Sequence, residues 1–197
     1  MVANIGILII GLVGFFIIHS VSILNEPWRD RMVAKIGEWP WKGIYSVLAI
    51  AAFVLIVWGY GLARQQPLVL YTSPHWMRHV TMLLMVPVFP LLLAAYLPGF
   101  IQRHTKHPML AATMIWGFAH LLVNGTLADL LLFGSFLLWA LTDRLSMRNR
   151  KQRPLPFSVK AKTNDATAVV IGLLIYAGFV FWLHGQLIGV PLLRHAT

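Results

Sequence analysis

Six long apolar runs set what this chain can fold into. They cover about residues 5–24, 43–63, 76–97, 109–123, 127–141 and 166–187. A helix rises 1.5 Å per residue, so about 20 apolar residues cross the hydrocarbon core of a bilayer. The predicted fold is therefore all-α, a polytopic membrane helical bundle of about six transmembrane helices. Charge supports the same class: 11% of the 197 residues are Asp, Glu, Lys or Arg, against about 25% in a soluble domain. A soluble fold would have an apolar interior with almost no polar shell. Six spans in a chain of this length also leave no room for a separate soluble domain.

The segments between runs carry the orientation. Residues 25–42 (…EPWRDRMVAKIGEWPWK) mix both charges with three tryptophans, which suits a stretch lying in the interface. Pro87 and Pro90 are expected to kink the third span. The stretch 98–107 reads as a short basic loop, and Asn124-Gly125 reads as the turn of a tight hairpin between two short spans. Residues 143–165 form a basic, proline-interrupted loop, and 188–197 a short tail. The segments after spans one, three and five hold 13 Lys and Arg, against 3 on the opposite side. That positive-inside bias predicts both termini non-cytoplasmic, in a multi-pass protein of a cell inner membrane. No Lys or Arg precedes the first run and no small-residue cleavage pattern follows it, so it is expected to be retained as a span. The net charge of +10 is explained by loops facing anionic lipid, with no nucleic-acid partner.

Cysteine is absent, which removes disulfides, thiolate-held metals and cysteine nucleophiles. Chemistry inside the bilayer then falls to histidine. His19 and His120 lie within apolar runs, where a polar group is expensive and is a functional candidate by default. Thr113, Trp116, His120 and Asn124 recur at helical spacing on one face, and Gly117 leaves room beside the imidazole. A single intramembrane histidine is most simply an interhelical hydrogen bond. Two on different spans, with His107 starting one of them, allow imidazole ligation of haem iron, zinc or copper. Counted from the cytoplasmic side, His19 lies ~8 Å deep and His120 ~18 Å deep, so by depth alone His107 is as near a partner for His19. Asp129 either orients a histidine proton or starts the fifth helix. His75 and His79 share an i, i+4 spacing, but anchoring at the interface is their simpler role. His184 lies near the outer end of the sixth span, and His104 in a solvated basic loop. The Gly185–Gly189 spacing is a weak packing signal, and the tryptophans read mostly as interfacial belts.

More specific than the apolar background is a series of motifs. FFIIHS occupies 15–20, followed by Arg31, Ile36-Gly37-Glu38, KGIYS at 42–46 and Gly59-Tyr60. Then come His107-Pro108-Met109, Trp116, Ala119-His120-Leu121, Asn124-Gly125 and Leu132-Phe133-Gly134. In this arrangement the chain resembles the NnrU family, which shares its membrane domain with the plant and cyanobacterial 15-cis-zeta-carotene isomerase. The resemblance covers about residues 4–186 and marks an NnrU-like transmembrane domain at 4–187. It implies haem b, with His19 and His120 as the iron ligands and His107 as a further functional histidine. Trp116 and Asn124, which share the His120 face, are expected to border the cofactor. Relatives can exchange the second ligand for a cysteine three residues earlier; that position is Gly117 here, so such a switch is unavailable. KGIYS and LFG are closer to NnrU than to the isomerase. The resemblance implies an association with nitrite and nitric oxide reduction, as a redox, sensing or maturation component beside denitrification reductases. One alternative is a haem-dependent cis–trans isomerase of a lipophilic, carotenoid-like polyene. Another is a non-catalytic membrane partner or small transporter.

Overall fold

The computed structural model describes residues 2–150 and 162–193. Its helices are α1 (Val2–His19), α2 (Val21–Leu24), α3 (Glu26–Ile36), α4 (Glu38–Ala63), α5 (Met77–Met85), α6 (Val88–Ala94), α7 (Phe100–Thr105), α8 (Pro108–Leu121), α9 (Leu127–Asp129), α10 (Ser135–Ser146), α11 (Asn164–Gly178) and α12 (His184–Ile188). The π-helical stretches Leu130–Gly134 and Phe179–Leu183 join α9 to α10 and α11 to α12. Among the described residues, three segments are long and apolar enough to cross a membrane: Glu38–Ala63, Met77–Ala94 and Asn164–Ile188. Ile5–His19 and Pro108–Leu121 are apolar but shorter. Large apolar side chains such as Val47, Phe53, Leu174 and Phe181 point outward, as they do on a surface solvated by lipid tails.

Lipid supplies no hydrophobic force between helices, so close backbone approach at small residues has to do that work. α1 lies along α4 in this way. A Cβ on Gly11 would stand 2.7 Å from Ile56 N, and Gly14 faces Ala52 at 3.7 Å. Leu8 sits against Gly59, and these pairs run in opposite senses, so the two helices are antiparallel. Leu8, Leu12, Ile56 and Ala63 form the core there with Ala128, Leu132 and Phe133. The expected hairpin of short spans is present: α8 and α10 pack together, with Gly117 against Phe133 O. α11 packs on α6 where Gly172 meets the backbone of Pro90.

The kink expected in the third span falls at Pro87, between α5 and α6. Pro87 has no N–H to donate, and Val86 N–H turns to Leu83 O at 3.3 Å. Met82 O, freed from the helical ladder, accepts instead from Tyr176 Oη at 2.6 Å. Two local expectations change. The stretch read as a basic loop holds α7, because Asp165 accepts from Phe100 N (2.7 Å) and Ile101 N (2.9 Å) and caps its start. Gly185–Gly189 is not a helix-packing motif: Gly189 ends α12 at φ +75, and Gly185 faces Pro191. The interfacial stretch forms α3, capped by Asn25, whose side chain accepts from Trp28 N at 2.9 Å. Gly37 then turns the chain into α4 at φ +91, which favours glycine. Residues 151–161, about half of the basic 143–165 loop, lie outside the described residues, as does the end of the tail, 194–197 with His195.

Candidate histidine site in the aromatic core

His19 ends α1. Its Nδ1 lies 2.8 Å from Phe15 O, and a carbonyl only accepts, so Nδ1 carries the proton. Nε2 is left with an outward lone pair. The imidazole stacks on Phe15 at 3.8 Å and meets Tyr45 and Trp139 edge-on at 5.2 and 5.9 Å. Trp139 Nε1 donates to Ser20 Oγ at 3.2 Å, which ties α10 to the end of α1.

His120 repeats the arrangement near the end of α8. Its Nδ1 lies 2.9 Å from Trp116 O, and the ring stacks on Phe133 at 4.6 Å. Trp116 lies 5.3 Å away and also packs on Phe133 at 4.9 Å. Both histidines thus have the same tautomer fixed by the carbonyl one turn back. Neither Nε2 has a hydrogen-bond partner among the described residues.

The two rings do not touch. They are joined through Phe15, Phe136 and Trp116, with Phe15–Phe136 at 5.3 Å and Phe136–Trp116 at 5.7 Å. His19 stands at the level of Trp139 and His120 at the level of Phe133. That is six residues along the same rod, ~9 Å at 1.5 Å each, close to the ~10 Å offset read from the sequence. The donor chemistry fits haem b: two neutral imidazoles, apolar aromatic walls and no competing thiolate. The packing adds two conditions: ligation of one iron by both requires Phe136 and Trp116 to turn aside and the ~9 Å offset along the rod to close. No cluster of three or more His, Cys, Asp or Glu that could hold a metal ion occurs among the described residues.

The remaining candidates separate from this pair. His107 is the N-cap of α8, thirteen residues or ~20 Å from His120. Burial pushes its pKa below the ordinary histidine value, and the Arg144 charge adds to this. Its neighbourhood centres on Asp143, at the start of the segment expected to form the basic 143–165 loop. Asp143 is paired with Arg150 at side-chain exposures of 9% and 11%. Its charge reaches His107, His19 and Tyr45, so His107 and His19 belong to the same end of the bundle. The signal was available: an acid next to a span end, surrounded by arginines.

Asn124 works on the backbone and not on the ring. Its Nδ2 donates to His120 O at 3.0 Å. Tyr71 Oη donates to Leu121 O and Asn124 O, and Ser73 Oγ to Leu122 O, closing the carbonyls that a helix end leaves open. Leu68–Tyr71, between the second and third apolar runs, lies along this turn through Leu70 N–Gly125 O (2.7 Å) and Leu127 N–Leu68 O (2.9 Å). Its apolar, aromatic LVLY run was the cue. Asp129, 5% exposed, starts α9. It accepts from Thr126 N (2.9 Å), Thr126 Oγ1 (2.7 Å) and Tyr60 Oη (2.6 Å), so the helix-starting role holds. Trp116 and Trp139 are interior rings and not belt residues. His104 stacks on Phe100 at 5.8 Å, His184 Nδ1 bonds Val190 O at 2.6 Å, and His75 and His79 are exposed.

Together these features define a helical membrane protein with two tautomer-locked histidines in an aromatic core. The profile of the NnrU protein family matches residues 7–192, nearly the whole chain, and the chain belongs to that family. No curated protein and no solved structure matches it.

Proposed function

We propose that this NnrU-family protein is a haem b protein of a cell inner membrane that serves nitrite and nitric oxide reduction as a redox, sensing or maturation component. The observation that carries the proposal is the shared state of His19 and His120. Each Nδ1–H is tied to a carbonyl one turn earlier, which fixes the ring and leaves each Nε2 as a ready iron donor, as a hydrogen bond on the other ring nitrogen does for histidine ligands generally. Haem bound there would supply a one-electron couple tuned by the imidazoles that would hold it and by apolar surroundings. The chain's own part is to fix both tautomers, exclude water with Phe15, Phe133, Phe136 and Trp116, and hold the iron without thiolate. His107 remains the reserve partner for His19, supported by their common position near Asp143.

The proposed topology has six spans with both termini non-cytoplasmic. Three are the long apolar segments. The others are Ile5–His19, Pro108–Leu121 and the rod running from Leu127 to Ser146. The 13-to-3 charge bias supports this orientation. Reporter fusions after residue 63 and in the 151–161 segment test it: the first should report the non-cytoplasmic side, the second the cytoplasm.

Haem content tests the cofactor. Protein from haem-supplied cells should carry about one haem per chain, reduced in His19→Ala and His120→Ala variants. The physiological role is tested by deletion in a denitrifying host, where nitrite or nitric oxide consumption should fall and His19→Ala should fail to restore it.

A second reading, the isomerase, is favoured by one feature. An apolar groove of about 460 Å³ runs along α1, lined by Ile9, Leu12, Phe16 and Ile17 from that helix and by Leu131 and Ser135. It suits an elongated lipophilic substrate. Co-expression with enzymes that accumulate a cis-carotene would change the isomer ratio if this reading holds, and unchanged ratios would reject that substrate.

A further inference from the structure

A second cavity, of about 260 Å³, opens where the end of α1 meets α2, α3 and the first turns of α4. Its composition differs from the lipid-facing groove. Ile18 and Val21 supply apolar wall, Trp41 and Tyr45 aromatic wall, and His19, Ser22, Arg29 and Lys42 polar groups. The cations are only partly shielded: Arg29 pairs with Asp30 at 3.0 Å and Lys42 with Glu38 at 2.7 Å. Neither carboxylate lines the cavity. Guanidinium and ammonium keep further N–H groups after one such bond. Tyr45 Oη and Ser22 Oγ have no hydrogen-bond partner among the described residues.

The surroundings place the cavity at a membrane surface. α3 has no buried residue and carries Glu26, Arg29, Asp30, Arg31 and Lys35. Trp28 packs on Trp41 at 6.0 Å, and Trp39 is 76% exposed, the placement of aromatic residues at the headgroup level. A hole with two cations and two hydroxyl donors above an apolar floor accommodates an anion joined to a hydrophobic body.

We propose that this cavity is an anion subsite for an amphipathic ligand. Arg29, Lys42, Ser22 and Tyr45 engage a phosphate or carboxylate, while Ile18 and Trp41 contact the apolar body. Two sources carry that chemistry: the phosphate of an anionic phospholipid, and the propionates of a haem held by His19. The second source rests on the haem proposal above; the first does not.

Full-length protein purified in mild detergent distinguishes them. Native mass spectrometry measures binding of phosphatidylglycerol against phosphatidylcholine, and absorbance titration measures haemin against haemin dimethyl ester, whose propionates are neutral. Two cations near a lipid surface favour an anionic ligand and their acid neighbours weaken this, so a preference of about tenfold for the anionic ligand of one pair is expected. An Arg29→Gln/Lys42→Gln variant should lose that preference. Arg31→Gln/Lys35→Gln removes the same charge from α3, outside the cavity, and should keep it. A phosphatidylglycerol preference with no Soret band would support the subsite and defeat the haem proposal. A Soret band with neither preference changed by Arg29→Gln/Lys42→Gln would overturn the subsite and leave haem standing. Equal loss in both double variants would overturn it too, by assigning the effect to general charge.

Discussion

Pro87 and Tyr176 should behave as one unit, because the hydroxyl of the second repairs what the first removes. In a regular helix Met82 O would accept from Val86 N–H and Leu83 O from residue 87. Proline at 87 shifts Val86 N–H onto Leu83 O and leaves Met82 O to Tyr176 Oη at 2.6 Å. Membrane hydrogen bonds between side chains average about 0.6 kcal/mol and reach about 1.7. An orphaned buried carbonyl costs about 1–3 kcal/mol. Tyr176→Phe removes the bond and orphans the carbonyl, so its cost should be about 1 kcal/mol or slightly more. Pro87→Ala restores an N–H at 87 and lets Val86 return to Met82 O, so Tyr176→Phe in that background should cost close to nothing. The double-mutant coupling is then about 1 kcal/mol, measurable by unfolding in mixed micelles with increasing SDS. Costs of Tyr176→Phe equal within about 0.3 kcal/mol in the two backgrounds, the usual additivity of independent sites, would refute the reasoning.

Glycine positions give a contrast in sign. Gly117→Ala places a Cβ 2.8 Å from Phe133 O and should destabilise by about 1–3 kcal/mol through overpacking, whereas Gly61→Ala meets nothing within 4 Å and should gain up to about 1 kcal/mol of helix propensity; the same micelle unfolding reads both. Asp165 accepts from Phe100 N–H and Ile101 N–H and caps α7, so Asp165→Ala should lower the unfolding midpoint, and Asp165→Asn, which keeps one acceptor oxygen, should lower it less. Tyr60→Phe leaves the buried Asp129 carboxylate one donor short and should cost about 1–3 kcal/mol, read as a lower unfolding midpoint.

How much of this was legible in the sequence depended on whether the signal was local. Apolar run lengths marked the helices, Pro87 marked the kink, and Asn124-Gly125 marked the hairpin, because each acts within a few residues. His19 and His120 stood out because a polar side chain in an apolar run is anomalous on sight. What surrounds them did not: Phe15, Phe133, Phe136 and Trp139 look like ordinary span residues until α1, α8 and α10 are brought together. α7 was missed for the same reason, since its cap, Asp165, comes from a segment about 65 residues later. Asp143 was hidden by its basic neighbours, which turned a buried acid into an apparent loop boundary. The glycine spacing at 185–189 misled because its periodicity is the same whether the glycines pack a helix or end one.

Haem held by the two tautomer-locked imidazoles, as proposed, would be visible in an absorption spectrum. The full-length protein should be purified from haem-supplied cells and recorded oxidised and dithionite-reduced beside His19→Ala and His120→Ala. A Soret band is expected, with the reduced α and β bands of a b-type haem, and each variant should lose or alter that spectrum. A wild-type protein that shows no Soret band, or one whose spectrum is unchanged by either substitution, would contradict the proposal.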